Sequence, residues 1–152
     1  MISRAKLLAD RSAVFIALSG KVTLADPYKA LRTLRERGEL QPGMPVLLDL
    51  AGIRSIDRDP AQEMRLNLDI VDMLRLFGEE TVLLIHAPEG IARDMASAML
   101  DFWEGSEVVI VRICEDELGA LMILRRPERS FAELKFTQSA IAFAKTDDSG
   151  IF

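Results

Sequence analysis

Residues 45–60, PVLLDLAGIRSIDRDP, decide the fold. Val46, Leu47, Leu48 and Leu50 form a near-continuous apolar run. A strand buried on both faces of a parallel sheet reads this way, whereas a half-solvated strand alternates. Asp49 interrupts the run, Asp57 and Asp59 follow where the chain leaves the sheet, and Pro60 opens a helical pattern. In open α/β sheets ligands and partners meet the carboxyl ends of the strands. The turn at residues 54–59 is therefore the first place to look for function.

Upstream, residues 3–9 alternate weakly and meet Asp10-Arg11, a tight-turn pair, before the strand formers AVFIAL at 13–18. The pattern predicts a β-hairpin, with Lys21-Val22-Thr23 continuing its second strand past a bulge at Ser19-Gly20. Asp26-Pro27 predicts a helix with Asp26 as N-cap, and Gly38 predicts its end. Tyr28, Leu31 and Leu34 form the apolar side of that helix. Lys29, Arg32, Arg35 and Arg37 cover the other side, and a solvated basic face accounts for them without an anion site.

Downstream, TVLLIHA at 81–87 and VVIVRI at 108–113 read as two further buried strands. Between them a helix over 91–103 carries Ala92, Met95, Ala96, Met99 and Trp103 on one stripe. Glu115-Asp116-Glu117 opens a short helix to about Leu124, its acids suited to the positive end of the helix dipole. Ser130 and Glu133 have the capping-box spacing and predict a helix from Phe131. Residues 135–145 are ambiguous between helix and strand, but are too apolar for a solvated tail. Alternating strands and helices predict a mostly parallel sheet with an antiparallel N-terminal hairpin at one edge. The expected division is an α/β domain over 1–125 and a C-terminal extension over 126–152, packed on that domain or on a second subunit.

The helix after Pro60 carries two apolar stripes. Met64, Leu68, Val71 and Leu74 form one; Leu66, Ile70, Met73 and Phe77 form the other. A helix lying on a sheet needs a single stripe. The surplus predicts cover by a neighbouring helix, by the C-terminal segment or by a second subunit.

Composition bounds the function classes. The chain has 152 residues, 49% hydrophobic and 28% charged, which suits one globular domain. A net charge of -5 argues against a nucleic-acid footprint, which is basic. One cysteine excludes an internal disulfide and, with one histidine, a zinc site within the chain. A reducing cytoplasm fits that usage. No apolar run reaches the length of a membrane span. The chain lacks a GxSxG elbow, a GxxxxGK[ST] loop and a GxGxxG fingerprint, so no hydrolase, kinase or dinucleotide enzyme is indicated. An enzymatic reading would rest on His86 or Asp57 alone. Asp49, Asp57 and Asp59 suit turn and cap roles better than a general acid/base pair, which needs carboxylates converging in one pocket. His86 suits a rim histidine satisfied by backbone, and Cys114 a structural thiol. Met95, Met99, Phe102 and Trp103, with Met64 and Met73, have the side chains of an adaptable apolar pocket or of an ordinary core.

The segments ALSGKVT, DPYKALRTL, PVLLDLAGIRSID and TVLLIHAPEGIARDMASAM, in this order, resemble the STAS-type domain (sulfate transporter and anti-sigma factor antagonist). They are closest in pattern to its bacterial SpoIIAA-like branch, whose fold is shared with CRAL-TRIO lipid-binding domains. The resemblance covers residues 12–124. It implies a non-catalytic, cytoplasmic regulatory or protein-interaction module without a cofactor. In the family, an Asp-Ser motif in the turn after the central strand carries a phosphorylated serine. Here Ile56-Asp57 matches its start, but Arg58 and Asp59 follow, so a phosphoserine switch is not expected. The expected partner surface, for another protein or a second copy, is Arg54, Ser55, Asp57, Arg58 and Asp59 with Leu66, Ile70 and Met73. The alternative is a lipid or other apolar small ligand held by Met95, Met99 and Trp103 with His86.

Overall fold

The computed structural model describes residues 2–137 and 141–144. Ten regular elements follow in order: strand β1 (Ile2–Leu7), β2 (Val14–Thr23), helix α1 (Asp26–Glu36), β3 (Val46–Asp57), α2 (Pro60–Arg75), β4 (Thr81–His86), α3 (Gly90–Trp103), β5 (Val109–Cys114), α4 (Glu117–Ile123) and β6 (Ile141–Ala144). The strands form one sheet in the spatial order β5-β4-β3-β2-β1-β6. Strands β2 to β5 are mutually parallel, while β1 and β6 run antiparallel to their neighbours. The fold is the expected α/β sheet, with one correction at its margin. The hairpin is not the edge, because β6 pairs along the outer side of β1 and satisfies its backbone groups.

The apolar run of β3 is buried on both faces, as its composition requires. Val46, Leu48 and Leu50 face α1, α2 and α3 in the larger core. Leu47 faces a smaller core built from Phe15, Leu84, Ala120, Leu121, Phe131 and Leu134. The segment after residue 125 thus supplies Phe131 and Leu134 to the interior and β6 to the sheet. The predicted helix at Phe131 is a single 3₁₀ turn, Phe131–Glu133, because Leu134 turns extended to enter that core.

Strand β4 pairs with β3 only over residues 46–49. Beyond that point β2 and β3 continue together as a two-stranded ribbon, with the expected bulge near Ser19-Gly20. Gly52 permits the close approach there: a Cβ at this position would stand 3.1 Å from the Ser19 Cβ and 3.3 Å from the Leu18 carbonyl oxygen. Helix α2 starts at the tip of the ribbon and runs back beside α1, to which Asp69 is tied by Arg32. Gly78, at φ 69°, ends it.

Asp26 is not the N-cap of α1; Ala25 is. Asp26 lies inside the first turn, and its carboxylate accepts from the Thr23 backbone N–H at 2.7 Å, binding the end of β2 to the helix. Arg126 joins the N-terminal turn to the C-terminal segment through Asp10, Ser12 and Glu128. Hydrogen bonds from Ser12, and then from Arg126, hold the Asp10 carboxyl down at about 2.

Candidate functional site

The turn from β3 to α2 is built by ordinary helix-start chemistry. Asp59 is the N-cap and accepts from the Gln62 N–H at 3.2 Å. The Glu63 carboxylate reaches back to accept from the Asp59 N–H at 3.1 Å, a reciprocal cap. Arg58 donates to both Glu63 oxygens, at 2.9 and 3.0 Å, and this fork holds the Glu63 carboxyl below its usual range. Arg54, Ser55, Asp57, Arg58 and Asp59 are all exposed. Asp57 pairs across the ribbon with Thr23. Eight residues of extended chain separate it from Asp49, about 26 Å at the usual strand rise. The three aspartates therefore do not converge, and no acid/base pair forms from them.

The stripes of α2 resolve against the expected partner surface. Ile70 and Met73 are only 0% and 7% exposed, and Leu66 is half-buried against the same core. These side chains are spent on the domain's own interior, so a partner cannot reach Ile70 or Met73 while the fold holds. The other stripe is uncovered only in its first half: Met64 is 69% and Leu68 65% exposed, while Leu74 at its end is buried in the larger core. The reason is position, since the first turns of α2 rise from the ribbon tip, past the end of β4. Val71 lies half-buried beside them, and Phe102 of α3, 41% exposed, stands across from them. Pro60, Glu63, Met64, Leu68, Val71 and Phe102 line an open groove of about 330 Å³ between α2 and α3. Sequence periodicity identifies both stripes but not which one the sheet takes, and Phe102 joins Met64 only once α2 and α3 are placed side by side.

The expected ligand site divides between the two faces of the sheet. Met95, Met99 and Trp103 are buried in the larger core, and the Trp103 indole N–H donates to the Tyr28 hydroxyl at 2.8 Å. His86 lies on the opposite face, edge-on to the Phe131 ring at 5.2 Å between centroids. These four residues therefore do not share a pocket.

His86 is nevertheless well placed by the sheet. Register aligns Ala17, Asp49, His86 and Cys114 in one row across β2 to β5. His86 Nδ1 stands 2.8 Å from Asp49 Oδ1. A carboxylate only accepts, so Nδ1 carries the hydrogen of this bond. The same Asp49 oxygen accepts from the Ala51 N–H at 3.1 Å. Their spacing of 37 residues gave no hint of the pair in the sequence. Cys114 completes an Asp-His-Cys row but not a nucleophile: burial, and then the charge of Asp116, push its thiol up. A reactive thiol needs the reverse shift.

Among the described residues no cluster of three or more His, Cys, Asp or Glu side chains suits a metal ion. No described helix is long and apolar enough to cross a membrane. No family model matches the chain, and a search of curated proteins finds no match.

Proposed function

We propose that this chain is a non-catalytic protein-interaction module of regulatory type, similar in plan to STAS and anti-sigma antagonist domains. Its working surface is the groove between α2 and α3 together with the charged turn that opens α2. What supports the reading is the convergence of three exposed large apolar side chains, Met64, Leu68 and Phe102, on one groove; Leu76, Leu100, Leu118, Met122 and Ile123 are exposed outside it. Contiguous apolar patches of this kind mark contact sites more often than chance surface. The reading includes no phosphoserine switch, because Arg58 and Asp59 stand where the family's serine would head the helix. It also includes no chemistry at His86, whose ring is closed over by Phe131.

The test is genetic and separates contact from catalysis. In the source organism, Leu68→Glu is expected to reproduce the loss caused by deleting the gene while the protein keeps its melting temperature. His86→Gln, which preserves a hydrogen-bonding group, is expected to leave function intact. The opposite pattern, with Leu68→Glu silent and His86→Gln null in a folded protein, overturns the proposal.

A further inference from the structure

The charges beside the groove narrow what covers it, given the interaction reading above. On α2, Leu68 is flanked by Arg65 one turn before it and Asp72 one turn after it, both exposed. Neither has an ion-pair partner among the described residues. They stand seven residues apart, about 10.5 Å along the axis and on nearly the same face. That is too far for them to pair with each other. Asp69, by contrast, is already engaged by Arg32 of α1.

A partner presenting one sign of charge would satisfy one of these residues and repel the other. A partner presenting minus opposite Arg65 and plus opposite Asp72, spaced two helical turns apart, satisfies both. The chain itself has that pattern. An antiparallel copy of α2, related by a two-fold axis beside Leu68, sets Arg65 against the partner's Asp72 and Asp72 against the partner's Arg65. A self-complementary patch of this type is the requirement of an isologous dimer. We propose that the α2–α3 groove is covered by a second copy of this chain. Two α2 helices pack antiparallel, the partner's Leu68 and Met64 enter the groove against Val71 and Phe102, and two reciprocal Arg65–Asp72 pairs fix the register.

The test is oligomeric mass in solution for the full chain, by light scattering or sedimentation over a wide concentration range. The mass is expected to rise from 16.9 kDa to twice that value. Arg65→Asp and Asp72→Arg are each expected to leave a single-chain mass at concentrations where the unaltered chain is dimeric, with unchanged circular dichroism. An equimolar mixture of the two variants is expected to regain the dimer mass, because each supplies the sign the other lacks. A single-chain mass at every concentration overturns the proposal, as does a mixture that stays monomeric. A photo-crosslinking amino acid at position 68 separates this failure from failure of the interaction reading. Cross-linking to itself supports both, and cross-linking to one different protein overturns the second copy alone. No cross-link above that from the same label at Lys29 overturns both.

Discussion

The Trp103 indole N–H donates to the Tyr28 hydroxyl across 75 residues of sequence, and this buried bond ties α3 to α1 under the sheet. The two rings also meet edge to face, 6.2 Å between centroids. Burial pushes the Tyr28 phenol well above its usual range, so the hydroxyl stays protonated at any ordinary pH and serves as acceptor to Trp103. Tyr28→Phe removes that acceptor and leaves a buried N–H without its partner. The expected cost is about 1–3 kcal/mol, read as a lowered denaturation midpoint with an unchanged slope. A midpoint equal to that of the unaltered chain would show that the bond contributes nothing net.

Asp49 gives a second expectation on the opposite face of the sheet. Asp49→Ala leaves the His86 Nδ1–H, buried beneath Phe131, without its acceptor, and is expected to cost about 1–3 kcal/mol. Asp49→Asn keeps an acceptor oxygen at the same place and is expected to cost less. Thermal unfolding of the pair checks the order. Equal melting temperatures for the two variants would count against the hydrogen bond as the cause.

Ile70 and Leu68 of α2 predict opposite tolerances. Ile70→Ala empties a site fully enclosed by the larger core and is expected to cost about 2–5 kcal/mol. Leu68→Ser changes an exposed side chain, and its expected effect on the unfolding of the isolated chain lies within about 0.5 kcal/mol. Denaturant titration at low protein concentration distinguishes the two. A large loss at Leu68 under those conditions would mean that its own domain covers it.

Acid behaviour follows from Asp10. Its carboxyl is held at about 2 in the folded chain, below the ordinary aspartate range. The sign is that of a depressed carboxyl: the contribution is fully present above pH 4 or so. It is lost as the pH falls from there through 2. Carboxyl carbon NMR shifts are expected to place the Asp10 midpoint near 2 and to return it toward the usual range in Arg126→Gln or Ser12→Ala. A midpoint near 4 in the unaltered chain would remove the link between the N-terminal turn and the C-terminal segment. Because Asp10 is half exposed, solvent screening keeps its contribution to stability small.

Much of this architecture was legible in particular residues. The run at 46–50, with no polar alternation except Asp49, could only be an interior strand, and Asp59-Pro60 could only open a helix. Asp26-Pro27 looked identical and behaved differently, because Thr23 offers its N–H to the carboxylate before any helical N–H can. The inward face of α2 was not legible. Both stripes are equally apolar, and the choice is made by where the β2–β3 ribbon delivers Pro60. The His86–Asp49 pair was not legible either, since parallel register across β3 and β4 is set by the whole sheet and not by either strand alone. Chemical character alone groups His86 with Met95, Met99 and Trp103. The alternation of side chains along β4 sends it to the other side.

The pairing of β6 along β1 has a consequence for biosynthesis. Residues 2–5 leave the ribosome first among the described strands, and their outer hydrogen-bonding row finds its mate only when residues 141–144 emerge. Until residues 141–144 emerge, the nascent hairpin presents a bare margin to any neighbouring chain. Co-translational misassembly should therefore begin at β1, and a ribosome stalled short of residue 141 should display the species most prone to it.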